Sequence, residues 1–222
     1  MTQSSSIQSL FLEGPAGRLE ALLNQGAPAA THAALVCHPH PMFGGTMHNK
    51  VVFHAMKALS GFGFPVLRFN FRGAGLSEGK HDEGRGEVED ARAALRWLEQ
   101  RFNMPVVSAG FSFGAATGLR AACPDPRVDA LIALGMPVRV DDRSYGYKFL
   151  SECTKPKLLV SGGHDQFGPR DQLRDLVARV AEPKKLVIIE DADHFFSGRL
   201  AEMRRAIEEW VRETVSPPSA AT

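Results

Sequence analysis

Eight short apolar runs, separated by stretches whose apolar residues recur three and four apart, constrain this chain more than any other feature of it. Strand-length runs alternating with helical periods leave few solutions. The runs pair side by side as a mainly parallel sheet, and the periodic segments cross back as helices on both of its faces, a three-layer α/β architecture. The strands read as Ile7 to Leu12, Leu19 to Leu23, Ala33 to Cys37, Pro65 to Phe69, Pro105 to Ala109, Ala130 to Leu134, Lys157 to Ser161 and Lys185 to Ile189. Helices are clearest over Glu87 to Phe102, with a stripe of Val88, Ala91, Leu95, Leu98 and Phe102, and over Arg199 to Val211, with Leu200, Met203, Ile207 and Trp210. Weaker periodicity covers Asn49 to Leu59, Ala115 to Ala122 and Arg170 to Val180.

At 222 residues, with no internal repeat and no linker, the chain reads as a single domain over 1–215, followed by a disordered tail at 216–222 that holds two prolines and no packing residue. Lys plus Arg number 26 and Asp plus Glu 25, so there is no broad field to hold nucleic acid or an anionic membrane. The longest largely apolar stretch, Val128 to Val138, is interrupted by Asp129 and Gly135 and is too short to span a bilayer. The polar start, Met1 to Ser6, is unlike a secretory signal, which makes the cytoplasm the expected location. Cys37, Cys123 and Cys153 are odd in number and not closely spaced, so they read as packing residues rather than as a disulfide framework or thiolate site.

The pattern G-x-S-x-G occurs twice, at Gly75 to Gly79 and at Gly110 to Gly114. A nucleophilic serine on such a turn needs a strand leading in, a helix leading out and small neighbours, so that its hydroxyl is lifted above the sheet. Ser112 has the strand Met104 to Ala109 before it and the small residues Gly114 to Leu119 after it. Ser77 follows the turn Arg72 to Gly75 and precedes the charged loop Lys80 to Gly84, which marks it as a turn serine.

A serine hydroxyl becomes nucleophilic when an imidazole takes its proton, and an acid must orient that imidazole. Asp165 lies just past one later strand and His194 just past the next, in the order serine, acid, histidine. Asp141 and Asp142, after the strand that follows the elbow, are alternative acids; Asp191 and Asp193 more simply shape the histidine loop, and His164 reads as a surface residue. His38, His40, His48 and His54 resemble a metal cluster by count but lack a carboxylate or thiolate at ligand spacing, so no metal or other cofactor is expected. An oxyanion hole needs two N–H donors. Phe113 offers one; the second comes from His38 to Gly45, where Pro39 and Pro41 have none, leaving His40 as first choice and Met42 or Phe43 as alternatives.

With the elbow Gly110 to Gly114, the acid loop Gly162 to Asp165 and the histidine loop Asp191 to Phe195, the chain resembles the α/β-hydrolase superfamily over nearly its whole length. His38 to Pro41, Gly44 to Thr46, Asn49-Lys50 and Asn70 to Gly79 are similar to a branch of small bacterial lidless hydrolases related to dienelactone hydrolases. The resemblance implies an eight-stranded sheet with its second strand antiparallel, a triad of Ser112, Asp165 and His194, and a structural turn at Arg72 to Gly79. Dienelactone hydrolases proper use cysteine where this chain has Ser112, so their substrate does not carry over.

The insert between Gly135 and Lys157 is too short for a full cap; Tyr145, Tyr147, Phe149 and Leu150 read as one small helix over the site. An open pocket bordered by Met42, Phe43, Phe111, Phe113, Phe167 and Phe195 then suits short or medium acyl groups. The expected activity is hydrolysis of a small-molecule carboxylic ester through an acyl-enzyme, by a monomer or homodimer. Thioesterase, acyltransferase and small-peptide hydrolase use the same groups, and a non-catalytic binding module is the reading from another class.

Overall fold

The computed structural model describes residues 6–140 and 143–215. All eight expected strands form: β1 (Ile7–Gly14), β2 (Gly17–Asn24), β3 (Ala33–Cys37), β4 (Val66–Phe69), β5 (Val106–Phe111), β6 (Val128–Leu134), and then β9 (Lys157–Gly162) and β10 (Lys184–Ile189). Between β6 and β9 in the chain lies a small added ribbon, β7 (Arg139–Val140) with β8 (Arg143–Ser144). The main sheet runs β1-β2-β4-β3-β5-β6-β9-β10. β2 is antiparallel to both its neighbours, and every pair from β4 to β10 is parallel. This is the sheet that the resemblance implied.

Side chains alternate across each strand, and here both faces are covered, so the central strands are apolar throughout. Ala33, Leu35 and Cys37 of β3 join the core under the second, third and fourth helices, while Ala34 and Val36 join the opposite core. The helices are α1 (Lys50–Ser60), α2 (Arg85–Phe102), α3 (Phe113–Ala122), α4 (Arg170–Ala178) and α5 (Leu200–Thr214). α5 buries Met203, Ile207, Trp210 and Val211 beside α1. The stripe of α2 is also as expected, with Val88, Ala91, Leu95 and Leu98 buried.

The same face of α2 carries two charged residues that periodicity did not single out. Glu87 and Asp90 are fully buried. Asp90 takes Arg72 in a forked pair, with Nη2 to Oδ1 at 2.7 Å and Nε to Oδ2 at 3.0 Å, and also accepts the Arg72 N–H. The loop after β4 is thereby fixed to α2, so the carboxylate has a structural reason to be inside.

Two expectations are corrected. Cys123 and Cys153, read as separate packing residues, form a disulfide; the end of α3 and the segment before β9 approach to a Cα separation of 5.9 Å, which a sequence separation of 30 does not advertise. Tyr145, Tyr147, Phe149 and Leu150 do not make a helix over the site. A short 3₁₀ turn at Lys148–Ser151 forms instead, and these side chains pack into the core beneath α3 and α4, with the Tyr147 hydroxyl donating to the Pro137 carbonyl at 2.7 Å. An aromatic run buries itself wherever apolar surface is nearest, and here that is the side of the sheet. Cys37 is free and buried. Asp141 and Asp142, and the tail at 216–222, lie outside the described residues. Among those described, no helix is long and apolar enough to cross a membrane.

Replacing Asp90 with Ala strands a largely buried guanidinium and is expected to cost about 3 kcal/mol. Urea denaturation of the variant against the parent measures it, and a change under about 0.5 kcal/mol would show that the fork contributes nothing net.

Candidate active site

β5 ends at Phe111 and α3 begins at Phe113, leaving Ser112 alone to make the turn. Its backbone sits at φ 55°, ψ −120°, a conformation that side chains avoid and that costs about 1–3 kcal/mol. Three bonds hold it there: Ser112 N–H donates to the Leu134 carbonyl at 2.9 Å, and the Ser112 carbonyl accepts from Ala115 and Ala116 at 2.9 and 3.1 Å. The flanking glycines make the turn possible. A Cβ on Gly110 would strike the Gly114 carbonyl, and one on Gly114 would strike the carbonyls of Cys37 and His38.

The loops after β9 and β10 supply the partners. Ser112 Oγ lies 2.9 Å from His194 Nε2, and His194 Nδ1 lies 2.9 Å from Asp165 Oδ2. Asp165 Oδ1 accepts the Phe167 and Gly168 N–H groups at 2.9 and 3.2 Å, and the Ser161 hydroxyl donates to Oδ2 at 3.4 Å. Asp165 and His194 are buried, while Ser112 is half-buried and faces outward. Phe111 and Phe167 hold the imidazole from two sides, at ring separations of 5.0 and 4.6 Å. Asp193 ties the loop that follows, accepting Phe195 and Ser197 N–H groups at 3.0 and 2.9 Å; the Ser197 bond leads in keeping its carboxyl below the usual range. Asp191 pairs outward with Arg199, and His164 is exposed.

Beside Ser112, the loop after β3 narrows the choice of oxyanion donor. Met42 N–H is engaged by His40 Nδ1 at 3.2 Å, and Phe43 and Gly45 N–H groups by the His40 carbonyl at 3.2 and 3.0 Å. The His40 N–H donates to no described residue, and Phe113, first in its helix, has no intrahelical acceptor for its own. These are two open donors next to the elbow.

His38 is a residue that counting histidines could not place. Fully buried, it accepts the Phe71 N–H at Nε2 at 2.9 Å and sets Nδ1 2.6 Å from the Pro39 carbonyl, clipping the loop after β3 to the loop after β4. Burial lowers its pKa to about 4. His54 is distant on α1, and among the described residues no group of three His, Cys, Asp or Glu is arranged to hold a metal ion. Cys37 lies beneath the elbow, where burial pushes its thiol up to about 12, and it is no rival nucleophile. Ser77, as expected, is a buried turn residue, donating to the Asn70 carbonyl and accepting the Glu20 N–H.

The expected pocket rim is partly corrected. Met42, Phe43 and Phe195 are exposed and Phe167 is half-buried, all on loops at the site. Phe111 is fully buried behind the imidazole, and the Phe113 ring is covered by His40, Phe71 and His81. Alternation along β5 turns Phe111 into the core shared with Val107 and Ala109, where it backs the imidazole and has no exposed surface.

A family model described as an alpha/beta hydrolase domain matches residues 33–216. An uncharacterized protein of Rickettsia prowazekii is 38% identical over 211 residues, covering 91% of this chain and 87% of that one. An alpha-beta serine hydrolase homologue from Coxiella burnetii superposes with a TM-score of 0.84 at 38% identity, over 94% of this chain and 97% of that one. A serine hydrolase without a lid from Xanthomonas campestris does so with a TM-score of 0.83 at 33% identity, over 100% of this chain and 99% of its own.

Two outcomes test this geometry. His38 is neutral in the fold and binds a proton more readily when unfolded, so its contribution is whole above about pH 6.5 and is lost as pH falls toward about 4, roughly 3 kcal/mol in all. Denaturation curves from pH 8 to 4 should therefore slope less for His38→Gln than for the parent. Gly114→Ala drives a methyl into two carbonyls and should remove about 1–3 kcal/mol of stability while displacing Ser112; unchanged melting would contradict the packing described.

Proposed function

Because this chain belongs to the alpha/beta hydrolase family, we propose that it hydrolyses short to medium carboxylic esters with Ser112 as nucleophile. The observation that carries this reading is the pair of 2.9 Å contacts from Ser112 to His194 to Asp165, on a turn that lifts the hydroxyl out of the sheet. His194 Nε2 takes the Ser112 proton as Oγ bonds to the ester carbonyl carbon. The carbonyl oxygen gains the negative charge and meets the Phe113 and His40 N–H groups. Protonated His194 then gives its proton to the departing alkoxide, leaving the acyl group on Ser112. Water repeats the sequence: His194 takes its proton, the hydroxide adds to the acyl carbon, and Ser112 leaves with the proton returned.

Asp165 keeps the Nδ1–H tautomer, so that Nε2 is the acceptor, and offsets the charge on the ring between steps. Phe167, Phe195, Met42 and Phe43 form an apolar rim around the serine. Burial of the aromatic insert in the side of the molecule supports an open site and a small soluble acyl substrate.

Turnover of p-nitrophenyl esters from acetate to laurate, measured with EDTA present, should be highest at the short end. It should fall by about 10⁴-fold or more in Ser112→Ala protein shown to be folded. A fluorophosphonate should label Ser112 in the parent. Activity surviving in the variant would refute the mechanism, and faster turnover of solubilised long chains would refute the open site.

A further inference from the structure

Beside Phe113, the residue that follows Ser112, the loop between β4 and α2 carries a second imidazole next to a carboxylate. Glu87 is fully buried, and its oxygens accept the Asp82 and Gly84 N–H groups, each at 2.9 Å, so it stands as an acceptor at both ends. His81 Nδ1 lies 2.7 Å from Glu87 Oε1. That contact is not aligned as a hydrogen bond, but a buried carboxylate beside Nδ1 favours a proton on that nitrogen over the farther one, and in the neutral ring Nε2 is then an acceptor. His40 is fixed in the opposite sense. Met42 donates to its Nδ1, so its Nε2 bears the hydrogen. Burial and the neighbouring His81 hold His40 below the ordinary imidazole range, which keeps it neutral.

The two rings are 4.7 Å apart and lean on the Phe113 ring at 4.7 Å for His40 and 5.7 Å for His81. Neither Nε2 has a hydrogen-bond partner among the described residues, and both side chains reach solvent. One donor beside one acceptor is the complement of a hydroxyl group, which accepts one hydrogen bond and gives another. The peptide N–H of His40 is one proposed for the oxyanion, and both rings pack on Phe113, the residue after Ser112, which puts the pair at the edge of the proposed acyl site.

We infer that His40 and His81 form a subsite for a hydroxyl group on the acyl chain, and that hydroxyacyl esters are the substrate class. This rests on the esterase reading above. An unsubstituted chain leaves both nitrogens to water and gains nothing from them, whereas a hydroxyl in place makes two bonds at once.

The test compares kcat/KM at pH 8 for p-nitrophenyl 3-hydroxybutyrate against butyrate, and 6-hydroxyhexanoate against hexanoate. The parent should favour one hydroxy ester about tenfold. His81→Phe keeps a ring of similar size and should bring that ratio to about one with turnover of the plain ester intact, and His81→Gln, which keeps an acceptor, should restore part of the preference. A parent ratio near one for both pairs overturns the inference, as does a ratio unchanged in His81→Phe. Equal loss on hydroxy and plain esters in both variants assigns His81 a structural role and overturns it too. If the parent turns over no ester, the esterase reading has failed, and the subsite is read separately. Imidazole ¹H–¹⁵N resonances of His40 and His81 in Ser112→Ala protein should then move with ethyl 3-hydroxybutyrate and not with ethyl butyrate, and their failure to move sinks the subsite.

Discussion

The close approach of Gly114 to the carbonyls of Cys37 and His38 is the contact on which the remainder of the site depends. It lets α3 start directly over the end of β3, and this in turn allows a single residue, Ser112, to turn the chain from strand to helix. The same contact brings the loop after β3 beside the first peptide of α3. Ser112 and the two open N–H groups proposed for the oxyanion are therefore placed by one packing event. The strain at Ser112 is borne by the sheet bond to Leu134 and by the small residues of α3, which pack too tightly to let the turn relax.

Buried polar groups fasten the loops that meet there. His38 joins the loops after β3 and β4, Asp90 grips Arg72, and Glu87 gathers Asp82, Gly84 and His81. On the other flank the acid and histidine loops are equally close. Gly163 and His164 donate to the carbonyls of Ile189 and Ala192, and a Cβ on Gly162 or Gly163 would collide with the histidine loop. Such groups cost desolvation energy, which backbone partners offset for His38 and Glu87, and the Arg72 guanidinium and N–H for Asp90. Hydrogen-bonded clips on the loops thus work together with the close packing of α3 and of Phe111 and Phe167 around Ser112 and His194.

Much of this was legible in the sequence for a physical reason. Strands buried on both faces show as unbroken apolar runs, and α2 and α5 each carry a clear stripe, so the sheet and its strongest helices could be read. α3 was visible only weakly and its start was missed by two residues, because alanine and glycine give little periodic signal and Phe113 reads as strand. Ser112, Asp165 and His194 were legible because chain order fixes which strand ends can meet. His38, Glu87 and Asp90 were not: what makes them structural is a set of backbone donors and an arginine that only the fold brings near. The Cys123–Cys153 pair and the aromatic segment 145–150 were misread for a related reason, since neither sequence spacing nor apolar character says which surface a segment will reach.

Where the functional groups sit across the sheet has its own consequence. Ser112 rises from the centre, whereas His194 follows β10, which has a neighbour on one side only and is half-exposed along most of its length. Edge strands open at lower free energy than central ones. On the proposed mechanism, opening of this edge would carry the imidazole away while serine, glycine turn and peptide donors hold their positions, and activity would be lost before the molecule melts. α5, through its contacts with β9, β10 and α1, sets how far apart those two events lie. On that reading, a helix that contributes nothing to the candidate site would govern the temperature range over which the chain stays competent.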